Sequence, residues 1–225
     1  AHVSGSTTER AIEIPRTEWK FDGSLPAPDT VAATFGWSAH NVEDFGVEEG
    51  WLRGVSTDDI PLLWVDTREM HGAEAIWHAV GEDLLHAFEI KLRVSAGSNV
   101  YFSWRTQAAL DPEEIVERGR EGPWSNGTPV VAGEESRTYT WKPPNAWSVK
   151  DRKFLVIRPS DVAGARFEIE SIRLVHRREH LAAIPSGIGW QGLAGRYQET
   201  LVARAPETLR FPLSIPQRAW LDLSI

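Results

Sequence analysis

The chain has 225 residues, 41% of them hydrophobic and 25% charged, which is enough for one large or two small domains with a sizeable core. A net charge of −8 argues against nucleic acid as the main partner, because phosphate binding needs a basic surface. The absence of cysteine excludes disulfides, thiolate metal sites and cysteine nucleophiles, and no apolar run is long enough to span a bilayer.

Residues 1–10 are small and polar and are expected to form a disordered tail. Residue 1 is Ala and no signal-peptide pattern follows it, so a processed or artificially set N-terminus is expected. Ile12, Ile14, Trp19 and Phe21 lie among Pro15, Pro26 and Pro28, which suggests an extended edge segment and then a turn-rich connection. From Thr34 to Asp66 short apolar runs alternate with glycines. Residues 40–45, 51–55 and 62–65 read as strands, and Ala73 to Val80 as another.

The cleanest alternation follows. Phe88, Ile90, Leu92 and Val94 share one face, with Glu89, Lys91 and Arg93 on the other. After the turn at 95–99, Val100, Phe102 and Trp104 point inward and Tyr101, Ser103 and Arg105 outward. The two runs read as a hairpin with one buried and one polar face. Residues 106–136 are a long excursion containing a short helix. Asp111 is its N-cap, Pro112 opens it, and Gly119 is expected to stop it after about two turns. Thr138 to Trp141 is strand-like.

The stretch 153–175 reads as two strands joined by a Pro-Ser-Asp-x-x-Gly loop. Its apolar parity slips between Ile169 and Ile172, which requires a bulge or bend. Arg177 to Ala183 suggests a short helix ended by Pro185-Ser186-Gly187, and 197–202, 208–213 and 220–223 read as strands. The last run stops without a turn, so continuation beyond Ile225 is expected. The pattern as a whole is all-β, an antiparallel β-sandwich or jelly roll over 11–177, followed by a linker and the start of a second small β element over 178–225.

Two short motifs invite catalytic readings. His176-Arg177-Arg178-Glu179-His180 matches H-x-x-E-H, the inverted zinc-peptidase pattern, but it follows a strand-like run and lacks a helical third ligand. Ser214-Ile215-Pro216-Gln217-Arg218 matches the S-x-P-x-R core of sulfatase nucleophiles without the metal-binding carboxylates that chemistry needs. Both fit structural roles better, and an enzyme is the less favoured reading.

The 11 tryptophans stand out in the composition. Aromatic rings stack on the C–H faces of sugars, while charged side chains hydrogen-bond their hydroxyls. Tyr101, Ser103 and Arg105 with Lys91 and Arg93 on adjacent strands would form one such patch, flanked by Trp124 and Trp147 in loops. The alternative is that the 106–136 excursion covers this face and Trp124 is only a plug.

Residues 84–106 and 152–175 resemble the core strands of galactose-binding-like carbohydrate-binding modules. The resemblance implies a non-catalytic, secreted, cell-surface or periplasmic module of a bacterial glycan-processing protein, with a polysaccharide or oligosaccharide as ligand. It also implies a structural calcium ion, with Glu168 and Glu170 as candidate ligands. Residues 178–190 and 197–200 resemble a junction in exported bacterial sulfatases. That implies a sulfated-glycan hydrolase as catalytic partner, in the same or a partner chain. The runner-up reading is a structural β-domain that packs on such a catalytic domain and binds no sugar.

Overall fold

The structure is a computed structural model that describes residues 17–23, 34–66, 85–105, 111–121, 127–142, 154–193 and 196–203. The expected segments at 12–14, 73–80, 208–213 and 220–223, the Ser214 motif, and Trp124 and Trp147 lie outside the described residues. The chain divides into two units, 1–180 and 181–225.

The first unit contains the strands β1 (Thr17–Lys20), β2 (Ser38–His40), β3 (Val42–Glu48), β4 (Trp51–Ser56), β5 (Leu62–Asp66), β6 (Leu85–Val94), β7 (Asn99–Arg105), β8 (Gly127–Pro129), β9 (Arg137–Trp141), β10 (Phe154–Arg158) and β11 (Arg166–His176). Helix α1 spans Pro112–Glu121, and α2 (Arg177–Ala183) follows β11 directly. All strand pairs are antiparallel. A six-stranded sheet has the order β3-β4-β11-β6-β9, with β1 also paired to β11; a five-stranded sheet has the order β2-β5-β10-β7-β8. The second unit holds a hairpin of β12 (Gly187–Leu193) and β13 (Arg196–Val202).

The alternation in the sequence creates the core. Phe88, Ile90, Leu92 and Val94 from the six-stranded sheet meet Val100, Phe102 and Trp104 from the five-stranded one, all fully or almost fully buried. Phe88 stacks on Phe102 with ring centroids 5.6 Å apart, and Trp104 and Trp141 lie 5.5 and 5.3 Å from Phe88. The antiparallel sandwich expected from the strand pattern is therefore the fold observed. The parity slip in 153–175 is also real: β11 bulges between Ile169 and Ser171, which leaves Glu170 as the extra residue.

The hairpin expected from 85–94 and 99–105 does not form. β6 pairs with β11 and β9, while β7 pairs with β10 and β8, so residues 95–98 arch from one sheet to the other. Side-chain parity cannot separate the two cases. A hairpin sets the same apolar residues side by side, and an arch sets them face to face across the core. The loop 159–165 is a second arch, pinned by its own polar groups. Asp161 accepts hydrogen bonds from the Ser98 backbone N–H (2.7 Å) and the Asn99 amide (3.3 Å), and the Ser160 hydroxyl donates to the Ala96 carbonyl (2.9 Å). The buried Ser56 hydroxyl accepts from the Ala165 N–H (2.8 Å) and so fastens the arch to the end of β4.

Two turn features shape the β3–β4 edge. Glu49 and Gly50 both have positive φ (51° and 85°), which suits a two-residue hairpin loop between Glu48 and Trp51. Gly54 faces inward opposite Phe167, where a Cβ would fall 2.9 Å from the ring; only glycine admits the aromatic there.

Helix α1 caps the outer face of the five-stranded sheet. Asp111 accepts hydrogen bonds from the N–H groups of Glu113 (3.0 Å) and Glu114 (3.3 Å), as its N-cap role requires. Gly119 does not end the helix, which runs ten residues. Its apolar pair Ile115 and Val116 packs with Ile60, Leu62, Val156 and Trp64 as a second small core.

Candidate functional site

The arch separates the residues that the hairpin reading had brought together. Lys91 and Arg93 stand on the outer face of the six-stranded sheet, and Tyr101, Ser103 and Arg105 on that of the five-stranded sheet, the opposite side of the sandwich. These five side chains form no common patch.

The β7 group is also engaged within the fold. Tyr101 pairs in register with Arg158, whose guanidinium lies 4.8 Å over the ring, and with Gly127, where even a Cβ would approach the ring to 2.7 Å. Arg158 is itself buried and donates to the Asp59 carbonyl (3.0 and 2.5 Å) and the Ser160 carbonyl (3.2 Å). Burial lowers its pKa, opposed by the nearby Tyr101 and Asp161. Ser103 neighbours Val156, which belongs to the small core under α1, and Arg105 lies opposite Phe154. Helix α1, which belongs to the 106–136 excursion, packs on this sheet face at Leu62, Trp64 and Val156.

The outer face of the six-stranded sheet is different. Outward positions carry Trp51, Arg53 and Val55 on β4, Arg166 and Glu168 on β11, Lys91 and Arg93 on β6, and Thr138 and Thr140 on β9. In register, Glu168 sits between Arg53 and Arg93. Arg93 binds Glu168, Lys91 binds Glu170 at 2.7 Å, and Arg53 binds Glu48. The hydrogen bond from Arg93 to Glu168 raises the pKa of Arg93. The Arg93 guanidinium also lies 4.7 Å over the Trp51 ring. Farther along, Arg173 bridges Glu89 at 3.2 Å and also contacts Glu179.

Glu168 and Glu170 were the expected calcium ligands. Each carboxylate is paired with a cation on the next strand, Glu168 with Arg93 and Glu170 with Lys91. Among the described residues no three His, Asp or Glu side chains are grouped to hold a metal. The H-x-x-E-H residues have structural placements. His176 ends β11 and is buried, Glu179 binds Arg173, and the His180 ring stacks on His86 at 3.6 Å and 9°.

Beside Trp51 the sheet face opens into a groove of about 620 Å³ lined by the β3 bulge (Asp44, Phe45, Gly46), Val47 and Glu48, by Arg53 to Val55, and by Arg166 and Glu168. The bulge makes it. The β3–β4 register shifts between Glu43 and Gly46, and Asp44 takes φ 52°, so the edge strand bends from the sheet plane. The volume lies within the about 300–1,000 Å³ typical of small-ligand sites. Of the residues expected from the sequence, Lys91 and Arg93 stand on this same sheet face but outside the groove lining, whereas Trp51, Arg53 and Arg166 were not among them. The available signal was the outward parity of Trp51, Arg53 and Val55 on a strand already recognised from the sequence.

No protein family and no curated protein matches the chain. Among solved structures it is similar to a family 29 carbohydrate-binding module variant complexed with cellulohexaose (7% identity, 70% of this chain and 91% of that one, TM-score 0.41). A low-affinity xylan-binding module, CBM86, from Roseburia intestinalis gives 8% identity over 72% of this chain and 96% of that one, with a TM-score of 0.39. A family 29 module from Piromyces equi gives 5% identity, 62% and 79% coverage, and a TM-score of 0.36. Likeness at this level establishes nothing about ligand, and the sandwich assignment stands on strand order and register.

Proposed function

We propose that the chain is a non-catalytic carbohydrate-binding module that holds a glycan in the groove on the outer face of the six-stranded sheet. The observation that carries this reading is the groove itself. It is an open cleft on a rigid sheet, lined by guanidinium donors and carboxylate acceptors, with an indole two residues along the same strand face. Sugar hydroxyls both donate and accept, so a lining of Arg and Glu can satisfy them, and a Trp ring offers apolar contact for the C–H faces. Lys91 and Arg93 remain in the proposed site from the sequence expectation, joined by Trp51, Arg53 and Arg166. Such a module would act outside the cytoplasm as part of a glycan-processing protein, raising the substrate concentration seen by a catalytic domain in the same or a partner chain.

Affinity electrophoresis in gels containing soluble polysaccharides tests this directly. Wild type should be retarded, and Trp51→Ala and Arg166→Ala should weaken binding at least about tenfold. Ser103→Ala, on the opposite sheet, should bind as wild type does. Retardation lost in Ser103→Ala but kept in Trp51→Ala would place the ligand on the wrong side of the sandwich for this proposal.

A further inference from the structure

Resting on the glycan reading, we infer that the groove selects an uncharged, hydroxyl-rich chain and turns away uronate-bearing or sulfated ones. Its lining carries Asp44, Glu48 and Glu168 against Arg53 and Arg166. Arg53 is tied to Glu48, and Glu168 takes Arg93 from the adjoining strand. Those four charges are already satisfied in pairs. Among the described residues Asp44 and Arg166 have no ionic partner, and they are one acid and one base.

An incoming sulfate or carboxylate can only accept hydrogen bonds, so Arg166 is its one uncommitted ionic donor in the lining. It would bind there within the field of three carboxylates. Recruiting Arg53 instead would strip Glu48 of its counter-ion, and recruiting Arg93 would strip Glu168, whose side chain is only 15% exposed. A hydroxyl meets no such conflict, since it can accept from Arg166 and donate to Asp44 without displacing either pair. The long-range field acts the same way, because a chain of net charge −8 repels a polyanion before contact. This sets the groove against the substrate class of the sulfated-glycan hydrolase implied as catalytic partner by the resemblance of residues 178–190 and 197–200.

The test uses matched polysaccharides that differ in acid substituents: hydroxyethyl against carboxymethyl cellulose, arabinoxylan against glucuronoxylan, and agarose against carrageenan, each in affinity gels at low and high salt. The neutral member of any pair that binds should bind at least about tenfold more tightly than its acidic counterpart, with little effect of salt. The double variant Asp44→Asn with Glu48→Gln should narrow that gap at least about fivefold, through acidic-glycan binding that salt weakens. Preference of the wild type for the acidic members, suppressed by salt, overturns the selectivity inference while leaving a glycan site in place. Retardation by none of the six overturns the glycan reading and the selectivity together.

Discussion

Phe88 and Phe102 provide a direct energetic test of the arch. Their rings stack across the core with centroids 5.6 Å apart and 23° between planes, one from each sheet. Had 85–94 and 99–105 formed a hairpin with Val94 opposite Val100, the register that sets the apolar residues side by side, Phe102 would have stood opposite Leu92, four residues from Phe88 and roughly 13 Å along the strand. Phe88→Leu and Phe102→Leu each keep an apolar side chain and should cost about 1–2 kcal/mol singly. A stacked aromatic pair is worth about 0.5–1.5 kcal/mol beyond its buried area. The double variant should therefore be less destabilised than the sum of the singles by about that amount, because the second ring has already lost its partner. Urea unfolding followed by near-UV circular dichroism supplies all four free energies. Additivity within about 0.3 kcal/mol would refute the face-to-face placement of these strands.

Three further outcomes follow from single sites. Gly54→Ala puts a Cβ 2.5 Å from Val42 Cγ1 and 2.9 Å from the fully buried Phe167 ring and should cost about 1–3 kcal/mol in urea unfolding. Gly46→Ala, with nothing within 4 Å, should stay within about 0.5 kcal/mol, and equal effects at the two glycines would contradict the packing. Arg158→Lys loses the planar fork that holds the Asp59 and Ser160 carbonyls and should lower stability by about 2–3 kcal/mol in the same assay; an unchanged midpoint would refute that role. Burial, then the charges of His180, Lys142 and Arg177, lowers the His86 pKa from 6.5 to about 4. Because the folded value is the lower one, the neutral stack contributes fully above about pH 6.5, and its contribution is lost as pH falls toward 4. That change corresponds to about 3 kcal/mol before screening and about 1 kcal/mol given the partial exposure of His86. His86→Phe should flatten the fall in Tm between pH 7 and pH 4, and an unaltered slope would contradict this.

What the sequence could reveal was set by periodicity. Inward residues from Phe88 to Trp104, the bulge near Glu170 and the Asp111 cap are local signals, and each is found in the structure. Strand partners are not local. The short segment between Val94 and Val100 serves a hairpin and an arch equally well, so the outward residues were assigned to one face when they occupy two. The proposed site therefore draws on only one of those faces. Tyr101 read as a platform because nothing in its own strand shows that Arg158 and Gly127 close over it. Glu168 and Glu170 entered as candidate calcium ligands from the resemblance alone; their partners Arg93 and Lys91 were not legible because the pairing of β11 with β6 spans more than seventy residues. In β12 the glycines at 187, 189 and 192 hid a strand that its pairing with β13 makes plain.

The placement of the ligand face is tested most directly by titrating ¹⁵N-labelled protein with a soluble neutral oligosaccharide and following the amide shifts. Binding in the groove predicts saturable shifts confined to 44–48, 51–55, 91–93 and 166–170. Shifts centred on 99–105 and 154–158 would put the ligand on the opposite sheet and contradict the proposed site.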